Sequence, residues 1–287
     1  MNFGLLALKQ MIALISGSKN LPIQLHDYFI EARVPHCCVL FENNLNKPLI
    51  QKLETSNTPY IINQIGQLRP FFKFLKQHNV NKLIFSGSID RKKINPLHFD
   101  TLGLKWLFKI GGAFFKGDDN LLQSLIKLLQ KEQFEIVPAS YYLKDLFTDV
   151  GNHASLKISC DRIADAQYGF DLLHTLSPFD VGQAVIVDRG KIIGIEGPEG
   201  TEQLIQRCKD LLTPDSKAIL VKASKKNQSH LIDMPTIGPE TFTQAHQCMI
   251  TGIAIEALKV QVLDLSKCIE IANQNNMYFY SMNNQER

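Results

Sequence analysis

A chain of 287 residues, 45% hydrophobic and 21% charged, has enough apolar surface for substantial cores, which excludes a disordered chain. Its net charge of +3 is too mild to indicate a nucleic-acid binder, so no nucleic-acid partner is expected. The length accommodates two domains of ordinary size, with one larger domain as the alternative.

The chain starts MNFGLLALKQMIALISG, an apolar stretch in which Lys9 lies inside rather than ahead of the hydrophobic run. This reads as a short extension leading into a first strand, Met11–Ser16, rather than as a signal peptide. A membrane span needs about 20 predominantly apolar residues, and no segment supplies them. The six cysteines form no CxxC pair and no disulfide framework, so they are expected as reduced, mostly buried hydrophobes of a cytosolic protein.

In the first half, short apolar runs alternate with helical patterns. Met11–Ser16 ends at Gly17-Ser18, and a helix is predicted from about Leu21 to Ala32. Runs at Cys37–Phe41 and Tyr60–Ile62 follow, then helical spacing over Phe71–His78 and a strand Leu83–Phe85 ending at Ser86-Gly87-Ser88. This alternation favours βαβ units around a parallel sheet, whose ligands bind beyond the carboxyl ends of the strands. Gly17 and Gly87 therefore lie where a nucleotide would sit, although either could simply be a strand–helix turn. Asp118 and Asp119 suit the first turn of a helix over Leu121–Gln130, and Glu135–Val137 is a further short strand.

The segment Gly66–Lys116 interleaves cations (Arg69, Lys73, Lys92, Lys93, Lys105, Lys109) with aromatics (Phe71, Phe72, Trp106, Phe108, Phe114). It fits either an anionic membrane surface or a solvated helix face over an aromatic core. The polar stretch Asp149–Lys157 marks the expected boundary, giving domains 1–150 and 158–287.

The second half lacks regular alternation. It reads as a helix Asp161–Leu176, a hairpin of Gln183–Val187 with Lys191–Ile195, and a helix Thr201–Lys209. A buried strand Ile219–Val221 follows, then a helix near Pro239–Met249 and strands Gly252–Ile255 and Val260–Leu263. A last helix, Leu265–Gln274, and strand Met277–Tyr280 close the chain. The fold class expected is α/β, a Rossmann-like N-terminal domain followed by a distinct mixed α/β C-terminal domain.

Two constellations could carry chemistry. Glu196-Gly197-Pro198-Glu199-Gly200-Thr201-Glu202 gathers carboxylates and a hydroxyl at a helix start, which suits Mg²⁺ or, equally, simple capping by Thr201. Lys222, Lys225 and Lys226 precede Gln228, Ser229 and Asp233, so cations for phosphate are followed by one carboxylate for a metal or a water. A solvated basic loop is the plainer reading of the same residues.

Ordered motifs run along nearly the whole chain beside these constellations. They include Gly66-Gln67, Phe85-Ser86-Gly87-Ser88-Ile89-Asp90-Arg91, Gly117-Asp118-Asp119-Asn120 and Asp180-Val181-Gly182-Gln183. Glu196 with Glu199-Gly200-Thr201, Lys222, Asp233-Met234-Pro235-Thr236-Ile237-Gly238 and Gly252-Ile253-Ala254-Ile255-Glu256-Ala257 complete them. With these motifs the chain resembles the LpxI-type UDP-2,3-diacylglucosamine pyrophosphatases of lipid A biosynthesis in Gram-negative bacteria.

The resemblance implies hydrolysis of UDP-2,3-diacylglucosamine to UMP and 2,3-diacylglucosamine 1-phosphate (lipid X), with Mg²⁺ required. It implies Asp233, Lys222 and Lys225 as catalytic residues, and Asp233, Glu196 and Glu199 toward the metal. Gly17, Gly87, Arg91, Asp118, Asp119, Gln183, Thr201, Gln228 and Thr236 are the implied substrate contacts. It further implies work at the cytoplasmic face of the inner membrane, in peripheral contact with its surface; self-association is left open. A diverged inactive homologue and a nucleotide-sugar-dependent transferase are the alternatives. The chain departs from the family at Lys92 and Lys226, where proline is usual, and at Leu258-Lys259, where Gly-Arg is. It also departs at Ser229 and Leu231, where an acid and an arginine are expected. Leucine cannot replace the bidentate phosphate contact of an arginine.

Overall fold

A computed structural model describes residues 11–87, 89, 96–110, 118–225 and 234–283. The chain divides into two compact units, the first containing Met1–Leu143 and the second containing Lys144–Gln228 and Met234–Arg287. The α/β organisation is the one expected from the sequence.

The first unit runs β1 (Met11–Ser16), α1 (Leu21–Glu31), β2 (His36–Phe41), α2 (Lys47–Thr55), β3 (Tyr60–Asn63) and α3 (Leu68–Gln77). It continues with β4 (Val80–Ser86), α4 (Thr101–Ile110), α5 (Asp118–Lys131) and β5 (Glu135–Ile136). All strand pairs are parallel, in the order β3-β2-β1-β4-β5. Ala13, Ile15, Cys37, Val39 and Leu83 pack on one face with Phe71, Leu75, Trp106 and Leu129. The alternate residues Leu14, Cys38, Leu40 and Ile84 are equally buried, as a sheet covered on both faces requires. The strand order reverses between β1 and β4, the switch point where such sheets receive ligands.

Two helices have no counterpart in the sequence reading. In α2 the Asn46 side chain caps the helix by accepting from Leu49 N–H at 3.3 Å, with proline in the first turn. In α4 the Asp100 carboxylate plays that part, accepting from Gly103 N–H at 2.7 Å and from Arg69 N–H at 2.7 Å.

The second unit runs β6 (Gly151–Asn152), α6 (Cys160–Leu176), β7 (Ala184–Asp188), β8 (Lys191–Ile195), α7 (Thr201–Cys208) and β9 (Ile219–Lys222). Then come β10 (Thr236–Ile237), α8 (Pro239–Gln247), β11 (Gly252–Glu256), β12 (Gln261–Val262), α9 (Leu265–Gln274) and β13 (Tyr278–Met282). Six strands form one sheet, ordered β6-β13-β11-β9-β7-β8, while β10 and β12 pair separately. The central β9, β11 and β13 are parallel, and β6, β7 and β8 add antiparallel margins. One face packs Val185, Val221 and Ala254 against α6 through Ala166 and Phe170. A Cβ at Gly169 would lie 2.8 Å from Val221 Cγ2, so glycine allows this close approach. The other face packs Ile186, Leu220 and Ile253 against Leu204, Phe242 and Ala272 of α7, α8 and α9.

All six cysteines are free; all but Cys160 are buried. Burial pushes the Cys37 thiol up to about 12, so it is inert as a nucleophile. Among the described residues no helix is long and apolar enough to cross a membrane.

Candidate active site

In the second unit β7 runs against β9, and β8 against β7. The start of β7 and the ends of β8, β9 and β11 therefore share one edge of the sheet. Gln183, Glu196, Lys222 and Glu256 are placed there, with Ala184 and Ile255 opposite Lys222 in the ladder.

Lys222 is 6% exposed and Glu196 8%, so two opposite charges sit almost out of water. They are joined through a hydroxyl. Lys222 Nζ donates to Thr201 Oγ1 at 2.7 Å, and Thr201 Oγ1 donates to Glu196 Oε1 at 2.6 Å. Lys222 Nζ also donates to the Thr236 carbonyl at 3.0 Å, and Gln183 N–H donates to Glu196 Oε2 at 2.6 Å. Each buried charge thus has fixed polar partners, without which its burial would be costly. Gly182 has a steric part here, since a Cβ on it would lie 2.4 Å from the Glu196 carbonyl oxygen.

Lys225, three residues on, pairs with Asp180 Oδ1 at 2.5 Å. Asp180 adopts a left-handed conformation at φ 54°. Glu199 lies apart from Glu196 in its bonding, paired with Arg207 Nε at 3.1 Å. Its own backbone N–H, then that of Gly197 and the Arg207 guanidinium, hold Glu199 below the usual carboxylate range despite slight desolvation.

Both oxygens of Glu196 are engaged by protein donors and Glu199 by arginine. Among the described residues no group of three or more His, Cys, Asp or Glu side chains is placed to hold a metal ion. Asp233, the third residue assigned to the metal, lies outside the described residues, and no step below runs through a metal.

In the first unit, Gly17 and Gly87 sit at the carboxyl ends of β1 and β4, on either side of the switch point. Gly17 N–H donates to the Ser86 carbonyl at 2.8 Å, so it is not offered to a ligand. Gly87 has φ +78°, and a Cβ there would lie 2.2 Å from the Ser18 carbonyl oxygen. Only glycine fits that turn. The Ser86 hydroxyl is buried beside it with no hydrogen-bond partner among the described residues.

The structure brings together Gln183, Glu196, Thr201, Lys222 and Thr236, and places Lys225 shortly after. Asp118 and Asp119 begin α5, but their side chains, like Arg91, Gln228 and Asp233, lie outside the described residues, as do Ser229 and Leu231. Sequence reasoning gave no role to Glu256, Ser224, His174, Lys259 or Asp180. Glu256 carried one signal, an acid ending the buried run Gly252–Ile255, but two of its partners, Ser224 and His174, come from distant segments.

The family model described as the LpxI N-terminal domain matches residues 11–146, and that of the LpxI C-terminal domain matches residues 149–280. The chain is 27% identical over 284 residues to the UDP-2,3-diacylglucosamine pyrophosphatase LpxI of Caulobacter vibrioides. That alignment covers 96% of this chain and 99% of the relative. On the two domain matches together, this chain belongs to the LpxI family.

Proposed function

We propose that this protein hydrolyses the pyrophosphate bond of UDP-2,3-diacylglucosamine, releasing UMP and 2,3-diacylglucosamine 1-phosphate in lipid A biosynthesis. End-to-end similarity to an enzyme of that name carries the reading. Water adds to one phosphorus, the bridging P–O bond breaks, and the bridging oxygen leaves on the other phosphate. Negative charge grows on the phosphoryl oxygens during this step. A preorganised ammonium in a poorly hydrated site stabilises such charge better than a solvated one. Lys222 is that ammonium, held by Thr201 and the Thr236 carbonyl, with Lys225 as a second cation nearby in the chain. Asp233 is proposed to position the attacking water and take up its proton. A Mg²⁺ ion, which the resemblance implies, would be held by Asp233 and would neutralise charge on the diphosphate, in keeping with its preference for hard oxygen donors.

The substrate carries two acyl chains, so the enzyme must work at a lipid surface. In α4, Leu104, Lys105, Phe108 and Lys109 share an exposed stripe, with Phe108 84% exposed; Leu97, just ahead of the helix, is 89% exposed. Apolar side chains flanked by lysines suit an anionic bilayer. Flotation with anionic vesicles should carry the parent protein upward and leave Phe108→Ser with Lys105→Glu and Lys109→Glu below. Equal flotation of both would remove this surface from the account. For the chemistry, Asp233→Asn should abolish UMP release and chelation should suppress it. An Asn variant as active as the parent would reject the role given to Asp233.

A further inference from the structure

Glu256 is a carboxylate 1% exposed, at the end of β11 and one residue beyond the ladder partner of Lys222. Its Oε2 accepts from both Ser224 N–H and Ser224 Oγ, each at 3.0 Å. Lys259 Nζ donates to Oε1 at 2.8 Å, and His174 Nε2 stands 3.6 Å from Oε2. Lys259 and His174 of α6 thus converge on the Glu256 carboxylate, and Glu256 in turn holds Ser224.

Ser224 lies between Lys222 and Lys225, the two cations assigned to the diphosphate. Its N–H and hydroxyl both end on one oxygen, which fixes the peptide plane and the side chain together. Ala223 N–H is held separately by the Gln183 carbonyl at 3.0 Å. A hydrophobic side chain would fill this core position without the desolvation of a buried charge, so the carboxylate is not explained by packing.

We infer that Glu256 is a positioning residue for the hydrolysis proposed above, and the inference rests on that reading. Through Ser224 it sets the direction in which the chain leaves β9, and so the spacing of Lys222 and Lys225 at the diphosphate. A displacement of about 1 Å of such groups costs on the order of 100-fold in rate.

The test compares the parent, Glu256→Gln, Ser224→Ala and the double variant by kcat, KM, thermal melting and hydrogen exchange of the peptide 219–225. Glu256→Gln should lower kcat by about 30- to 100-fold with KM changed less than about threefold. Because both residues act in one chain of contacts, the double variant should be no slower than Glu256→Gln alone. A kcat within threefold of the parent per folded molecule, or losses that multiply in the double variant, overturns the inference. If the parent releases no UMP, the proposed hydrolysis fails on its own account, and exchange decides the positioning role separately. Faster exchange over 219–225 in Glu256→Gln then supports it, and unchanged exchange overturns it.

Discussion

Lys222 Nζ donates to Thr201 Oγ1 at 2.7 Å, which ties the end of a central strand to the first residue of a helix. The hydroxyl is a neutral relay, since Thr201 in turn donates a hydrogen bond to Glu196. Thr201→Val keeps the shape and removes the relay, leaving one donor and one acceptor of buried charged groups short of a partner. Such orphaned groups cost about 1–3 kcal/mol, so urea denaturation of Thr201→Val should show that loss, and Thr201→Ser should restore most of it. A Thr201→Val variant as stable as the parent would show that the relay carries no stability.

Glu256 makes the second unit sensitive to acid. Burial pushes its carboxyl up, but His174, Lys259 and Ser224 N–H together outweigh burial and hold it at about 2, below the ordinary 4.5. Between those values the unfolded chain binds a proton that the folded protein does not. Its contribution of about 3 kcal/mol is complete above the unfolded value and is lost as pH falls toward about 2. Urea midpoints from pH 6 down to about 3 should fall more steeply for the parent than for Glu256→Gln. Parallel curves would contradict this.

A second acid-sensitive pair lies in the first unit. His36 Nδ1–H donates to the Val34 carbonyl at 2.9 Å, which leaves Nε2 to accept from His26 Nδ1–H, also at 2.9 Å. Burial holds His36 down to about 4 from the ordinary 6.5, and His26 is lowered by the same cause. The unfolded chain therefore takes up protons before the folded one, so stability present above pH 6.5 is lost as pH falls toward about 4. Trp106, the single tryptophan, is buried in this unit's core and reports its unfolding. His36→Gln keeps a donor and an acceptor without titrating and should flatten the dependence of the tryptophan transition between pH 6.5 and 4.

Gly87→Ala places a methyl 2.2 Å from the Ser18 carbonyl oxygen at a φ that alanine rarely adopts. A loss of about 1–3 kcal/mol is expected, with the β1–α1 turn displaced and UMP affinity reduced. Calorimetric titration with UMP checks the second effect. Unchanged affinity would separate the Gly87 turn from nucleotide binding.

The parallel sheet of the first unit was legible because short apolar runs ending at Ser16-Gly17 and Ser86-Gly87 alternate with helical spacing, and both turns sit at strand ends. α4 was hidden because its buried side holds only Gly103 and Trp106, so its periodicity is faint. Lys222 was legible as a cation suited to phosphate, and Thr201 as a helix cap or an oxygen donor beside Glu196. Their join through one hydroxyl was not, because it depends on the antiparallel return of β7 and β8. Glu196 was read as a hard oxygen donor, yet its oxygens serve Gln183 and Thr201. Glu256 was invisible as a clamp because His174 and Ser224 reach it only after α6, β9 and β11 have packed together.

The most direct measurement incubates purified protein with UDP-2,3-diacylglucosamine in water, with no acceptor present, and follows UMP and lipid X for the parent and Lys222→Met. The parent should release the two products in equal amounts. Lys222→Met should lose about 100- to 1,000-fold in kcat/KM, as expected when a preorganised cation is removed from developing phosphoryl charge. No UMP from the parent, UDP released in its place, or a Lys222→Met variant as fast as the parent would contradict a hydrolase built around the buried lysine at the end of β9.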